Sequence, residues 1–317
     1  MRVVVSERIA DAVKDRVRDA DLPVDVLVVD QEGQTEADLN SADVLLRHEL
    51  GRAAYQRIVQ AAPNLRWIHT GSAGVEQLLS DDITDRGIVF TNSAGVYGVP
   101  IAEWVMHALL MIVKHGREMI EAQQAKRWNA APEFDELAGK TITILGPGGI
   151  GMEIAKRAAG FDMRVWGVNR SGNSVPHVER IFSGDSWRQA LSQTDFLVIA
   201  TPLTDATRGL IGQHELDLLP AHAWLVNIAR GAIIDESALI ESLTTHTIAG
   251  AALDTFVEEP LPPDNPLWSL PNVIISPHHS GSSPRSLDRV LDLFTENLRR
   301  FLNGEELQNV VDLEAGY

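Results

Sequence analysis

The sequence predicts an α/β protein built from two doubly wound, parallel-sheet domains. Two observations lead to this prediction. Short apolar runs alternate with helix-like segments along nearly the whole chain, which is typical of parallel βαβ units. The chain also has 317 residues. Because one hydrophobic core rarely organises so long a chain, we expect two domains of roughly 100–200 residues each.

The first alternating series covers the N-terminal third of the chain. Its expected strands are short apolar runs at 2–5, 25–29, 43–46, 66–69 and 88–90. Amphipathic stretches at 7–19 and 51–61 are expected to be helices. A longer helix is predicted from about residue 100 to 125, because Pro100 suits a first helical turn and apolar residues then recur at helical spacing.

A second alternating series begins near residue 141. Its expected strands lie at 141–145, 163–168, 195–200, 223–228, 248–253 and 272–275. The last amphipathic stretch, 284–303, is predicted to be one helix that ends at Asn303-Gly304. We therefore predict a first domain of residues 1–98 that is completed by residues 284–317, and a second domain of residues 99–283.

The composition argues against several classes of protein. The formal net charge is -17, with 44 acidic against 27 basic residues, and nucleic-acid binding requires a basic surface instead. The longest apolar runs, such as 105–113, are much shorter than the roughly 20 residues of a membrane span. The absence of cysteine excludes disulfides, thiolate zinc sites and cysteine nucleophiles, and no metal site is predicted. The N-terminal residues match a strand and a helix rather than a signal peptide, so we expect a cytoplasmic protein.

A glycine-rich motif opens the second series. Residues 141–151 read TITILGPGGIG, so an expected strand runs into the pattern Gly-x-Gly-x-x-Gly and then into an expected helix. In such a motif the first glycine makes a tight turn, the second allows a pyrophosphate to approach the backbone, and the third lets the helix pack against its strand. The N–H groups at the start of the helix face the phosphates. We therefore predict a dinucleotide site whose contacts are Gly146, Gly148, Gly149, Ile150 and Gly151.

The residues that end the next strand predict which dinucleotide is bound. Asp or Glu normally stands there in an NAD-binding fold and accepts hydrogen bonds from the ribose 2′-OH. This chain has Asn169, Arg170 and Ser171 instead. Asn169 lacks the charge that would repel a 2′-phosphate, Arg170 adds one that attracts it, and Ser171 adds a hydroxyl donor. The sequence therefore predicts that NADP(H) is preferred over NAD(H), unless Arg170 simply points into solvent.

Characteristic segments are spread over nearly the whole chain. They are 71–75 (GSAGV), 102–103 (AE), 140–151, 201–203 (TPL), 225–236 (LVNIARGAIIDE), 249–260 (AGAALDTFVEEP) and 276–283 (SPHHSGSS). Together they resemble the D-isomer-specific 2-hydroxyacid dehydrogenases, which include glyoxylate/hydroxypyruvate reductases and 2-oxoacid reductases. The resemblance implies two Rossmann-like domains with the cofactor and substrate cleft between them, and a homodimer. It makes the first predicted domain the substrate-binding (catalytic) domain and the second the dinucleotide-binding domain.

The same resemblance implies a catalytic set of Arg230, Glu259 and His278. The planar fork of an arginine suits the two neighbouring oxygens of a 2-oxo acid and polarises the carbonyl. A histidine can protonate the carbonyl oxygen as hydride reaches the carbon, and a neighbouring carboxylate favours the protonated imidazole. Two alternatives stay open, because Glu258 adjoins Glu259 and His279 adjoins His278.

The other expected site residues also follow from the resemblance. The loop 70–75 is similar to the family's carboxylate-binding loop, in which Ser72, Ala73 and Gly74 would hold the substrate through a small nest of N–H groups. Arg230 and His278 complete the expected substrate contacts. Further cofactor contacts are expected at Thr201, Pro202, Ile228, Ala229, Asp254 and Gly281. Candidates for the pocket wall are Leu46, Arg47, Tyr97 and Trp268. For Trp128 two interpretations stay open, packing at the dimer interface or reaching a neighbouring site.

Three functions fit the motifs to different degrees. The first is an NADP(H)-dependent reductase that converts small 2-oxo acids to D-2-hydroxy acids. The second is a dinucleotide-sensing binding protein, similar to a corepressor, on the same fold. The third is a methyltransferase with a glycine-rich loop, but this function does not explain the segments 225–236 and 276–283. The sequence therefore favours the reductase.

Overall fold

The structure is a computed structural model that describes residues 1–75, 78–128 and 133–312. The chain forms two compact units, one of Met1–Tyr97 with Ser283–Tyr317 and one of Gly98–Ser282. The strands are β1 (Arg2–Ser6), β2 (Asp25–Val29), β3 (Val44–Arg47), β4 (Trp67–Thr70), β5 (Val89–Thr91), β6 (Thr141–Leu145), β7 (Arg164–Val168), β8 (Arg180–Phe182), β9 (Phe196–Ile199), β10 (Trp224–Asn227), β11 (Gly250–Leu253) and β12 (Val273–Ile275). The helices are α1 (Ala10–Asp19), α2 (Arg52–Ala61), α3 (Asp81–Asp85), α4 (Gly98–Val113), α5 (Gly116–Gln124), α6 (Gly149–Gly160), α7 (Arg188–Leu191), α8 (Gln213–Asp217), α9 (Glu236–Thr244) and α10 (Ser286–Asn303). Within the described ranges, no helix combines the length and apolar character that a membrane crossing requires.

The sheet of the first unit has five parallel strands in the order β2-β1-β3-β4-β5. Side chains alternate between its two faces, so Leu45 packs in one hydrophobic core and Leu46 in the other. Helix α10 covers the second face, where Phe294 stacks on Trp67 with ring centroids 5.3 Å apart. The last helix of the chain therefore packs on the sheet that the first residues form.

The sheet of the second unit has seven parallel strands in the order β12-β11-β10-β9-β6-β7-β8. Counted from β6, this is the strand order of the Rossmann fold, extended by one strand. The predicted architecture of two doubly wound, parallel-sheet α/β domains is thus confirmed. Strand β8 was not predicted, because it has only three residues, lies at the edge of the sheet and buries only Phe182 fully.

The prediction of one helix from about residue 100 to 125 is wrong, because the segment forms two helices, α4 and α5. His115 adopts the left-handed backbone conformation between them, with φ of 49°. Gly116 follows, at a position where a Cβ atom would lie 2.3 Å from the sulfur of Met111. Apolar residues keep their helical spacing on both sides of the break, so the sequence pattern does not reveal it.

Candidate active site

The predicted cofactor contacts lie along one edge of the second sheet. Each of them follows the carboxyl end of a parallel strand, which is where ligands bind in open α/β sheets. The glycine motif follows β6, and Asn169, Arg170 and Ser171 follow β7. Of the remaining predicted contacts, Thr201 and Pro202 follow β9, Ile228 and Ala229 follow β10, Asp254 follows β11 and Gly281 follows β12.

The glycine motif has the geometry of a phosphate-binding loop. Gly146 has φ of +86°, and a Cβ atom there would lie 2.8 Å from backbone atoms of Thr201. A Cβ atom at Gly151 would lie 2.5 Å from the Gly146 carbonyl oxygen, so only glycine allows α6 to start this close to β6. At Gly148, by contrast, no atom of the described residues beyond its two chain neighbours lies within 4 Å of the Cβ position. Because α6 begins at Gly149, the N–H groups of its first turn have no acceptor within the helix and are available to an anion.

The segment after β7 forms a turn that Asn169 holds together. The Asn169 Oδ1 atom accepts a hydrogen bond of 2.7 Å from the Gly172 N–H group, and its Nδ2 atom donates one of 2.9 Å to the Asn173 carbonyl. The Ser171 hydroxyl oxygen accepts a 3.2 Å bond from the Asn173 N–H group. Arg170 is exposed at the tip of this turn. Sequence reasoning missed this role of Asn169, although an Asn followed by Ser and Gly is a known signal for such a turn.

Arg230 stands on a loop that packs directly against another loop. The buried side chain of Asn227 forms two hydrogen bonds with this loop. Its Oδ1 atom accepts from the Ala229 N–H group and its Nδ2 atom donates to the Arg230 carbonyl, each at 3.0 Å. At Gly231, a Cβ atom would lie 1.9 Å from the carbonyl carbon of Phe256, so no side chain fits there. The loop of Arg230 is therefore held in backbone contact with the segment that leads to Glu259.

Glu259 and His278 form a hydrogen-bonded pair. The Glu259 Oε2 atom lies 2.8 Å from the His278 Nδ1 atom, and Oε1 accepts a 2.9 Å bond from the Phe256 N–H group. The carboxylate accepts a hydrogen bond from the Nδ1–H group, so this pairing leaves Nε2 as the ring nitrogen that can serve another molecule. The His278 side chain is 50% exposed and can be reached from solvent. The sequence left Glu258 and His279 as alternatives, but the hydrogen bond joins Glu259 to His278.

The loop that carries His278 is fastened to Asp254, which is almost completely buried. The Asp254 carboxylate accepts hydrogen bonds from the hydroxyl groups of Ser276 and Ser280 and from the backbone N–H groups of His279, at 2.8 Å, and Ser280, at 3.1 Å. These bonds hold His278 in the left-handed region with φ of 54°, which few non-glycine residues adopt. Both carboxylate oxygens of Asp254 thus accept hydrogen bonds from the loop. The predicted contact of Asp254 with a cofactor carboxamide stays a prediction.

In the first unit, the predicted carboxylate-binding loop follows β4. The Ser72 hydroxyl donates to the Gly74 carbonyl at 2.9 Å, and the Asn92 side chain donates to the Ala73 carbonyl at 2.9 Å. The backbone N–H groups of Ala73 and Gly74 have no hydrogen-bond acceptor among the residues that the structure describes. The carbonyl groups of this loop are thus hydrogen-bonded, while two of its N–H groups are available. Such a loop is suited to bind an anion.

A buried histidine anchors this loop to the hydrophobic core. The Ser93 hydroxyl donates to the Thr70 carbonyl at 2.9 Å, so the His69 Nε2 atom, at 3.2 Å, donates to Ser93. The His69 Nδ1 atom then accepts from the Thr91 hydroxyl at 2.7 Å, and Thr91 accepts from the Trp67 indole at 2.8 Å. Burial lowers the pKa of His69 to about 3, so the ring is neutral at physiological pH. Sequence reasoning missed this chain, because it joins residues of different strands.

The neutral His69 should make folding sensitive to acid. Its pKa of about 3 lies below the usual 6.5, so between these values the unfolded chain binds a proton that the folded chain does not. The stabilisation that comes from the neutral His69 ring is therefore complete above pH 6.5. Between pH 6.5 and about 3 the free energy of unfolding falls by about 1.4 kcal/mol for each pH unit. We expect His69→Gln to flatten this part of the curve of unfolding free energy against pH, measured by urea unfolding. The exposed His214→Gln variant is the control, and equal slopes for wild type and His69→Gln would refute the expectation.

The candidates for the pocket wall differ in their surroundings. Leu46 is fully buried in the core under α10, so it does not line a pocket. The Tyr97 hydroxyl donates a hydrogen bond to the carbonyl of Gly71 at the start of the carboxylate-binding loop. Trp268 is half exposed and donates its indole N–H to a loop carbonyl. Arg47 is half-buried at the carboxyl end of β3.

Comparisons with known proteins agree with this geometry. Residues 106–280 match the family model for the NAD-binding domain of D-isomer-specific 2-hydroxyacid dehydrogenases. The chain is 34% identical over 264 residues to a glyoxylate reductase of Korarchaeum cryptofilum, a match that covers 81% of this chain and 79% of the relative. A D-isomer-specific 2-hydroxyacid dehydrogenase of Xanthobacter autotrophicus, solved with NADPH and MES, has 30% identity and a TM-score of 0.86 over 100% of this chain and 99% of that one. An NADPH-dependent glyoxylate/hydroxypyruvate reductase of Sinorhizobium meliloti, solved with NADP and sulfate, has 26% identity and a TM-score of 0.83 over the same shares.

The family match, the strand order and the glycine loop all indicate a domain that binds a nicotinamide dinucleotide. The relatives support an NAD(P)-dependent 2-oxoacid reductase activity. The chain belongs to the D-isomer-specific 2-hydroxyacid dehydrogenase family.

Proposed function

We propose that this protein is an NADP(H)-dependent reductase that converts small 2-oxo acids to D-2-hydroxy acids. The observation that carries the proposal is the 2.8 Å contact between His278 and Glu259, which leaves one imidazole nitrogen free to act on a substrate. In this account residues 99–283 are the dinucleotide-binding domain, and residues 1–98 with 284–317 are the substrate-binding domain. Metal ions have no part in it.

The phosphate loop fits the pyrophosphate of a dinucleotide. The space beside Gly148 and the free N–H groups of the first turn of α6, at Gly149, Ile150 and Gly151, would hold its oxygens. When bound, the nicotinamide supplies the hydride that the carbonyl carbon of the substrate accepts. The remaining contacts proposed for the cofactor are Thr201, Pro202, Ile228, Ala229, Asp254 and Gly281.

In this proposal the reduction of the substrate carbonyl is catalysed by Arg230, Glu259 and His278. Arg230 holds a carboxylate oxygen and the carbonyl oxygen with its planar guanidinium, and stabilises the negative charge that grows on the carbonyl oxygen. His278 donates a proton to that oxygen from Nε2 as general acid. Glu259 fixes the orientation of the ring through its contact with Nδ1. The substrate carboxylate is also bound by the loop of Ser72, Ala73 and Gly74.

The preference for NADP(H) rests on the turn after β7. The Asn169 side chain forms hydrogen bonds within the turn. An amide therefore occupies the position at which an NAD-binding fold has a carboxylate for the ribose 2′-OH. Arg170 is exposed at the tip and can pair with a 2′-phosphate, and Ser171 adds a hydroxyl. The relatives solved with NADPH or NADP are in keeping with this preference.

Replacing Asn169 by Asp and Arg170 by Ala together should move the cofactor preference toward NAD(H). An aspartate can still accept the bond from the Gly172 N–H group, so the turn is kept while the 2′-phosphate is repelled. We expect the ratio of kcat/KM for NADPH to that for NADH to fall by about tenfold or more, as for the loss of a hydrogen bond to a charged group. Lys156→Ala, on the exposed face of α6, is the matched control. An unchanged ratio in the double variant would contradict the assignment.

Initial rates of NADPH and NADH oxidation test the function as a whole. The substrates run from glyoxylate and hydroxypyruvate to phenylpyruvate, at low and at high salt. The proposal predicts turnover of at least one 2-oxo acid, with NADPH preferred. Tight NADPH binding without turnover of any acid would instead support the dinucleotide-sensing protein.

We also propose that the protein is a cytoplasmic homodimer. Large apolar side chains are exposed on α5 and just after it: Met119 at 40%, Ile120 at 52%, Trp128 at 97% and Phe134 at 48%. Large apolar side chains exposed to water are typical of surfaces that another protein covers. Sedimentation velocity tests the dimer, and a single monomeric species at micromolar concentration would contradict it.

A further inference from the structure

After α10 the chain returns to the edge of the first sheet. Residues 308–311, here called the return segment, lie beside β5, which is the last strand in the sheet order. At one end of the segment, the Val311 N–H group donates to the Phe90 carbonyl at 2.8 Å, and the Val311 side chain is buried in the core. At the other end, the buried side chain of Asn297 accepts from the Gln308 N–H group at 2.8 Å and donates to the Gln308 carbonyl at 3.0 Å. The return segment is therefore fixed at both ends.

Asn309 lies between these two anchors and contacts the residues that follow β5. Its carbonyl accepts a 3.1 Å hydrogen bond from the Asn92 N–H group. Its side-chain amide donates to the carbonyls of Asn92, at 3.3 Å, and of Ala94, at 2.9 Å. Asn309 has φ of 55°, in the left-handed region that asparagine adopts more readily than most residues. One residue of the return segment thus forms three hydrogen bonds with residues 92–94.

Residues 92 and 93 in turn hold the carbonyl groups of the carboxylate-binding loop. The hydroxyl and the N–H group of Ser93 donate to the carbonyls of Thr70, at 2.9 Å, and of Ser72, at 3.0 Å. The Asn92 side chain donates to the Ala73 carbonyl at 2.9 Å. Both of these donor residues are almost completely buried, so water competes little for these bonds. The loop carbonyls are therefore oriented by residues that the return segment holds in place.

We propose that Asn309 is a positioning residue for the loop that binds the substrate carboxylate, and that it acts through Asn92. The inference deepens the proposed function and rests on it for its effect on catalysis. A nest of N–H groups binds an anion best when its backbone is ordered beforehand, because ordering it on binding costs conformational entropy. Asn309 restrains residues 92–94 and, through them, the loop. The affinity for a 2-oxo acid therefore depends on the return segment.

The variant Asn309→Gly tests the effect on substrate binding. Glycine keeps the left-handed backbone conformation, so only the two side-chain hydrogen bonds are lost. We expect KM for glyoxylate or hydroxypyruvate to rise by about 3–10-fold, as for the loss of one or two neutral hydrogen bonds. The loop holds the carboxylate equally in the ground state and the transition state, so kcat should be nearly unchanged. The dissociation constant of NADPH should also be unchanged, whereas a general loss of folded protein would lower kcat and leave KM as it is.

Two further variants show whether the effect passes through Asn92. Asn303→Gly is the matched control, because this exposed side chain donates to Glu305 and should leave KM unchanged. Asn92→Ala removes the bond to the Ala73 carbonyl and should raise KM at least as much as Asn309→Gly does. Because residues that act as one unit are not additive, the double variant should raise KM by less than the product of the two single effects. The full product, or an unchanged KM in Asn309→Gly, would overturn the inference.

Hydrogen exchange tests the same inference without any turnover. In Asn309→Gly, amide hydrogen–deuterium exchange should become faster in peptides that cover residues 70–75 and 92–94, as measured by mass spectrometry. Exchange at the glycine motif, residues 146–151, should stay as in the wild type. Unchanged exchange at 70–75 would overturn the inference even in an active reductase. Faster exchange there in a protein that reduces no 2-oxo acid would support the positioning role and contradict the proposed function instead.

Discussion

Replacement of His278 by alanine should lower kcat for 2-oxo acid reduction by about 10²–10⁴-fold, the range for loss of a general acid. The expectation follows from the contact of the Nδ1 atom with Glu259, which leaves Nε2 as the proton donor. Because His278 lies on a loop held by Asp254, removal of the ring leaves the backbone bonds of that loop intact. NADPH affinity, measured by fluorescence titration, should therefore be nearly unchanged.

The neighbouring histidine provides the matched control. His279 is exposed, and its backbone N–H rather than its ring bonds to Asp254. We therefore expect His279→Ala to retain most of the activity. If His278→Ala kept nearly the full turnover while His279→Ala lost it, the acid would be His279 and the assignment of roles would be wrong.

Replacement of Arg230 by alanine should raise KM and lower kcat together. Its guanidinium holds the substrate in the ground state, so KM depends on it. It also stabilises the charge that grows on the carbonyl oxygen, so kcat depends on it as well. Loss of one such charge-stabilising donor lowers kcat by about 10²–10³-fold. Steady-state kinetics with saturating NADPH measures both parameters.

Two further variants sharpen this prediction. Arg230→Lys keeps the charge but not the planar fork, so it should recover only part of the activity. Arg208→Ala removes an exposed arginine of the same unit and should change neither parameter. An effect of Arg230→Ala confined to NADPH affinity would show that the arginine serves the cofactor and not the substrate.

The features that sequence alone could predict are those encoded within a few neighbouring residues. The glycine motif and the alternation of apolar runs with amphipathic stretches predicted the loop at Gly146 and both parallel sheets. The break at His115 was not predictable, because the apolar spacing continues on either side of it. Strand β8 was missed because three residues with one fully buried side chain give no periodic signal.

The features that sequence could not predict are contacts between distant parts of the chain. The His69 chain needs Thr91 and Ser93 beside β4, which only the sheet order brings together. The support of the His278 loop by Asp254 depends on the turn after β12 reaching the end of β11.

Hydride transfer from NADPH to a 2-oxo acid, with formation of the D-product, can be followed with an isotope label. The test uses NADPH with deuterium at both hydrogen positions of C4 of the nicotinamide, mixed with the protein and pyruvate or hydroxypyruvate. We expect a 2-hydroxy acid with deuterium at C2 and D configuration, as measured by mass spectrometry and chiral chromatography. A product without deuterium, a product of L configuration, or no product despite bound NADPH would contradict it.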